Sequence, residues 1–328
     1  MLDTIFLLLC LIFVIILQVF LHEIGHLVFG ILTGYDFVSF RIFNILIYKQ
    51  NNTLRFGKGR LSGTGGQCML TPSFEESDNI PFFWYNAGGV IFNLLAAVIM
   101  MGGTFLFPEN STGRTVFVFA AIIGGVFVLY NGIPMKTRLI ANDGYNILKM
   151  INNPDAKRAF WRVFKINECY TKGVKLSDCP DEWFESLGDD NDNPLICGLN
   201  IYILLRYLEK QDFENTLKIC NNIMEAQNAL GIYKNEAICE KQFCDIMQNS
   251  HGNDVETTYV LTKNNIKERL NPILRFHTLY AYQVFLKKDL KQANNTLIEF
   301  QKEYSQNDNK GLLNLEKDLL KTLKAIAV

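Results

Sequence analysis

Apolar positions along this chain gather in long blocks near its start. From Ile5 to Leu21 only Gln18 is strongly polar, and after His22-Glu23-Ile24-Gly25-His26 the apolar run resumes from Leu27 to Leu32. Residues 2–34 predict one helix of roughly 50 Å, at about 1.5 Å per residue, against a hydrocarbon core of about 30 Å. One end must leave the lipid, or the helix must tilt. Residues 88–107, apolar apart from Asn93 and Thr104, and residues 115–133, which carry no charge, also reach the length of a span. The short stretch 108–114 between them reads as a turn. The first run is expected to be a span and not a signal peptide: no Lys or Arg precedes Arg41, and no small-residue cleavage site follows it.

The pattern changes between the first two spans. Phe37 to Tyr48 is rich in β-branched and aromatic residues, Gln50-Asn51-Asn52 reads as a turn, and Thr53 to Phe56 can return as a strand. This predicts a β-hairpin, either an amphipathic surface feature or one that holds substrate. Gly57, Gly59, Gly63, Gly65 and Gly66 follow it. Without G-K-S/T chemistry or a βαβ context they suggest a flexible loop, not a phosphate cradle. Trp84 and Tyr85 stand where an interfacial aromatic anchor is expected.

Charge sharpens the division. Residues 1–150 hold 9 of the 32 Lys and Arg and 8 of the 33 Asp and Glu, so the first part is membrane-like and the second soluble. A net charge of −1 leaves no electrostatic footprint for a nucleic acid. Residues 35–86 carry Arg41, Lys49, Arg55, Lys58 and Arg60, whereas the 108–114 loop carries only Arg114. By the positive-inside rule, residues 35–86 and the C-terminal part are cytoplasmic and the N-terminus lies outside. The eight cysteines contain no C-x-x-C pair and read as reduced and structural in that compartment.

Beyond the spans, residues 151–194 read as a linker with some short helices, given Asn153-Pro154, Cys179-Pro180 and the acidic stretch 189–192. Residues 195–328 show apolar spacing suited to paired helices. Segments 208–213 and 286–290 resemble turns between tetratricopeptide-like helices, although no clean 34-residue period runs through the segment. Such a domain would either recruit a cytosolic protein partner or simply stabilise the chain. The predicted fold is mainly α: a polytopic membrane core of about three transmembrane helices with a β-hairpin (1–150), a linker, and a soluble α-helical domain.

The chemistry centres on His22, Glu23 and His26. On a helix, positions i and i+4 share a face, so the two imidazoles can meet one cation while Glu23, one step around, approaches a water held there. With 4 His and 17 Glu in 328 residues, the accidental number of such H-E-x-x-H matches is on the order of 0.003. Unpaired and facing lipid, three ionisable residues in an apolar run would cost several kcal/mol, roughly, so a metal or a wet cavity is the economical explanation. Zinc takes nitrogen and oxygen ligands and, with three from the protein, keeps a fourth position for water. His251 and His277, in the soluble part, read as ordinary surface or core histidines. Asp143, in Asn142-Asp143-Gly144, is the better third ligand, although a first-turn acid beginning a helix near Asn142 would explain it equally.

Taken together, H-E-x-x-H inside a span, Gly89-Val90-Ile91-Phe92-Asn93 in the second, and Asn131-Gly132-Ile133-Pro134 followed by Asp143-Gly144 after the third resemble the site-2 protease family of intramembrane zinc metalloproteases over residues 1–150. Val90 stands where the family has proline, and Asp143 follows Asn131 by a longer gap than usual, with Lys136 and Arg138 between. No peptide-binding domain of the PDZ kind is visible in residues 35–86. The resemblance implies Zn2+ held by His22, His26 and Asp143, with Glu23 as general base. It implies Asn93 and Asn131 as substrate-positioning or transition-state groups; as bland residues they would hydrogen-bond between helices. The activity implied is hydrolysis of peptide bonds in membrane-embedded or membrane-associated polypeptides, in a multi-pass protein of the bilayer. A noncatalytic membrane adaptor, binding partners through its helical domain, is the alternative.

Overall fold

The computed structural model describes every residue except 1, 51–52, 59–64, 78, 249–269, 307–309 and 327–328. His251, Gly59 and Gly63 lie outside the described residues. The chain forms two compact units, one of residues 1–136 with 141–154 and one of residues 137–140 with 155–328.

The first unit begins with α1 (Leu2–Leu32), followed by four strands, β1 (Tyr35–Ile42), β2 (Ile45–Gln50), β3 (Thr53–Lys58) and β4 (Gly66–Pro72). Helices α2 (Phe82–Gly103), α3 (Thr112–Gly132) and the short α4 (Asp143–Met150) complete it. α1, α2 with the turn after it, and α3 are each long and apolar enough to cross a membrane. They also keep their apolar side chains outside: Leu9, Phe13 and Phe20 of α1, Leu95 and Ile99 of α2, and Ile122 and Val126 of α3 are exposed. In water such a surface would be prohibitive; in lipid it is the expected solvent face.

Where these helices do meet, small residues let them approach. A Cβ at Gly25 of α1 would run into the Gly88 backbone of α2, and a Cβ at Gly88 into that of Gly25, so the two backbones touch at their crossing. Close backbone contact is how helices associate where burying apolar surface gives no driving force.

The expected hairpin is a four-stranded antiparallel sheet in the order β3-β2-β1-β4. The segment Phe37 to Tyr48 is two strands, broken at Phe43, whose φ of 50° makes the tight turn. Gly57 and Gly66, expected in a flexible loop, are strand residues. β1 and β4 are largely buried, with Tyr35, Val38, Phe40, Cys68 and Leu70 in the core. By contrast, β2 and β3 project outward, leaving Ile45, Leu54 and Phe56 exposed. The register between β1 and β4 shifts between Phe37 and Ser39, a bulge that re-aims the residues after it.

The second unit is helical. Pro154–Thr171 forms an 18-residue helix inside the segment expected to be a linker, burying Ala156, Ala159, Phe160, Trp161, Ile166 and Tyr170 at helical spacing. Helices Pro194–Glu209, Phe213–Glu225 and Gly231–Gln248 follow, then Phe276–Ala281, Leu290–Gln306 and Lys310–Ile326. Asn193, Asp212 and the acceptor side chains like them cap helix starts by receiving backbone N–H groups. All eight cysteines are free thiols.

Candidate metal centre

α1 carries His22, Glu23 and His26 to the point where it crosses α2. Each imidazole is held by its outer nitrogen. His22 Nδ1 lies 2.9 Å from Asn93 Oδ1 of α2, and His26 Nδ1 lies 2.8 Å from the backbone carbonyl of Tyr85. With those oxygens accepting, both Nδ1 atoms carry hydrogen and both Nε2 atoms are the free ligand positions. The rings stand nearly perpendicular, at 89°, with their Nε2 atoms 3.1 Å apart.

Asp143 closes the group. Its Oδ2 lies 3.1 Å from His22 Nε2 and 3.6 Å from His26 Nε2. For ligand bonds of about 2.0 to 2.1 Å, the edges of a tetrahedron are about 3.3 Å, so these three separations suit three corners of a zinc site. The donor chemistry fits equally well: two imidazole nitrogens and a carboxylate oxygen converge with no lysine or arginine among them. Among the described residues, these three form the single group of His, Cys, Asp or Glu arranged to hold a metal ion.

The long gap before Asp143 has a structural answer. Asn142 accepts from the backbone N–H of Met135 and of Tyr145, which caps α4, and its amide donates to the carbonyls of Tyr130 and Ile133 at the end of α3. Asn142 N–H also donates to Met135 O, and Lys136 pairs with Ala141. The residues between Pro134 and Ala141 thus leave and return, and Asp143 re-enters beside the end of α3. Burial would raise the Asp143 carboxyl above its ordinary value, but His26 and His22, when protonated, outweigh it and hold it below.

Glu23 is buried beside the group, its side chain filling the space over Gly66 of β4. The sheet also delivers Arg41, buried on β1, whose guanidinium donates to the Phe43 and Gly66 carbonyls and whose charge acts on Glu23. In the sequence Arg41 reads only as a topogenic charge; nothing short of the β1 register reveals that it points toward the centre. Gly89 is explained directly: a Cβ there would strike the His22 ring, while Asn93, one turn on, grips that ring. The G-x-x-x-N spacing is therefore a seat and a latch for one histidine.

Asn93 thus acts on His22 and belongs to the centre. Asn131 is elsewhere engaged, donating from its amide to Phe127 O within its own helix. His277 is a fully buried core residue, its Nδ1 2.7 Å from Glu316 and its Nε2 2.9 Å from Glu240.

Compared with known proteins, residues 10–304 match the family model described as Peptidase family M50. Neither a curated protein nor a solved structure matches the chain.

Proposed function

We propose that this chain, which belongs to peptidase family M50 and is therefore a membrane metalloprotease, is an intramembrane zinc endopeptidase using His22, His26 and Asp143 as metal ligands and Glu23 as general base. The observation that carries this reading is the convergence of two Nε2 atoms and one carboxylate oxygen on a common point, with Glu23 next to it. Zinc bound there supplies Lewis acidity, acidifying a water and polarising a carbonyl.

The protein's own groups do the rest. Asn93 and the Tyr85 carbonyl fix the rings so that no reorganisation is needed when the reaction begins. Glu23 accepts the proton lost by the attacking water as the new C–O bond forms. It returns that proton to the amide nitrogen as the C–N bond breaks, and the new carboxyl's own proton passes to the amine, leaving a carboxylate and an ammonium. Arg41 sets the charge Glu23 works against. A transmembrane helix hides its carbonyls in its own hydrogen bonds, so a substrate must unwind before any of this. The β2–β3 ribbon, apolar at Ile45, Leu54 and Phe56 and, among the described residues, paired on one side only at β3, suits capture of the unwound segment by strand addition. Residues 35–86 and the helical unit are assigned to the cytoplasm, where the latter would recruit a protein partner or substrate; Asn131 keeps a positioning role in this reading.

The test is cleavage of a single-span reporter by wild type and by Glu23→Gln, with zinc content measured on both. Retained zinc with cleavage reduced by a factor of about 10³ is expected for loss of the general base. Equal cleavage by the variant would reject the assignment and favour the adaptor.

A further inference from the structure

Gln18 is the one strongly polar residue in the first apolar run, and the proposed reaction does not use it. It is 1% exposed, buried between three helices that otherwise turn apolar side chains to lipid. Its position one turn before His22 puts both on the same face of α1. Its Oε1 accepts from Asn93 Nδ2 at 2.7 Å, its backbone carbonyl accepts from the same nitrogen at 2.9 Å, and its own amide nitrogen lies against Gly124 of α3.

These contacts settle how Asn93 must face. An asparagine amide has one donating end and one accepting end, and rotating it by half a turn exchanges them. Gln18 offers two acceptors to the donating end. The accepting end is thereby left toward His22, where it can receive only an Nδ1–H, and the proton on Nδ1 leaves Nε2 for the metal. With Asn93 reversed, its NH2 would face His22 and favour a bare Nδ1, spoiling Nε2 as a ligand. At 0% exposure Asn93 has no water to correct the error.

We infer that Gln18 is a positioning residue for the metal centre, acting through Asn93 to fix which nitrogen of His22 faces the cation. The inference rests on the zinc site proposed above. It assigns a purpose to the polar break in α1 that helix packing alone does not, because Leu or Met would pack there without the cost of burying an amide.

The experiment compares zinc affinity of the full chain in detergent, by competition with a chromophoric chelator, for wild type, Gln18→Met, Gln18→Leu and Gln18→Glu. Met matches the volume and loses the side-chain acceptor, leaving Asn93 only the backbone carbonyl, whereas Glu keeps both. About tenfold weaker zinc binding is expected for Met and Leu, the low end for an outer-shell partner, with near-wild-type binding for Glu. Carbon-13 shifts of the His22 ring in the zinc-loaded protein should report Nε2 ligation in wild type and Gln18→Glu and a mixture in Gln18→Met. Zinc held equally by all four, or apolar variants that fail to fold while Gln18→Glu folds, would assign Gln18 to packing and overturn the inference. Failure of wild type itself to bind zinc would instead sink the protease reading, and this one with it.

Discussion

Both units of this protein bury histidine beside carboxylate, and they do so to opposite ends. In the membrane unit two imidazoles give their Nδ1 atoms to an asparagine and a backbone carbonyl, then turn both Nε2 atoms and the Asp143 carboxylate toward one point. In the helical unit a single imidazole gives Nδ1 to Glu316 and Nε2 to Glu240, on opposite sides of the ring. The first arrangement has three ligand atoms and no cation among them; the second is an ion-paired triad already complete. Residue type therefore says little about metal binding. What decides is whether the outer nitrogen of each ring is satisfied by something other than the converging ligands.

Cutting the buried triad should separate the two units most visibly. His277→Leu leaves Glu240 and Glu316 buried without the imidazole, and should destabilise the helical unit by about 3–5 kcal/mol, the usual cost of removing one partner from a buried pair. Zinc content should not change. Denaturant unfolding alongside metal analysis checks both, and loss of zinc would show that the triad is not independent. The same triad predicts a pH dependence. Burial alone would lower the His277 pKa, but Glu316 and Glu240 raise it from 6.5 to about 10. A group raised on folding contributes stability in full below its unfolded value and loses it as pH climbs through the folded one. Stability of the helical unit should accordingly fall between about pH 6.5 and 10, and His277→Leu should flatten that part of the profile.

At the metal centre, Asp143→Ala should weaken zinc binding by at least about 100-fold, the upper range seen for groups one step further out. Chelator competition measures this, and unchanged affinity would reassign the third ligand. Gly89→Ala pushes a methyl into the His22 ring and should cost about tenfold in affinity, as for a disturbed outer shell, without altering His277 or the pH profile of the helical unit.

The centre was more legible in the sequence than the sheet around it. H-E-x-x-H and Asp143-Gly144 stand out because their chemistry is improbable in an apolar setting, and the three spans because lipid-facing helices need unbroken apolar runs. Asn93 was visible as a residue, but its hold on His22 depends on how α1 and α2 cross, which two glycines set. The sheet was half seen. Phe37 to Tyr48 lacks a glycine at its turn, so Phe43 with φ of 50° hides the break, and β4 begins at a glycine that reads as loop. Arg41 shows the same limit: its charge is plain, while the side it faces follows from register alone. In the second unit, Ala156, Ala159 and Phe160 mark a helix that the flanking Asn153-Pro154 made look like a linker.

X-ray absorption at the zinc edge, on wild type and Asp143→Ala purified in detergent, decides whether the two imidazoles and Asp143 hold a metal. The proposed site requires about one zinc per chain with nitrogen and oxygen neighbours at about 2.0–2.1 Å, two of them imidazoles, and loss of that shell in the variant. An absent metal in wild type, or an unchanged shell after Asp143→Ala, would contradict it.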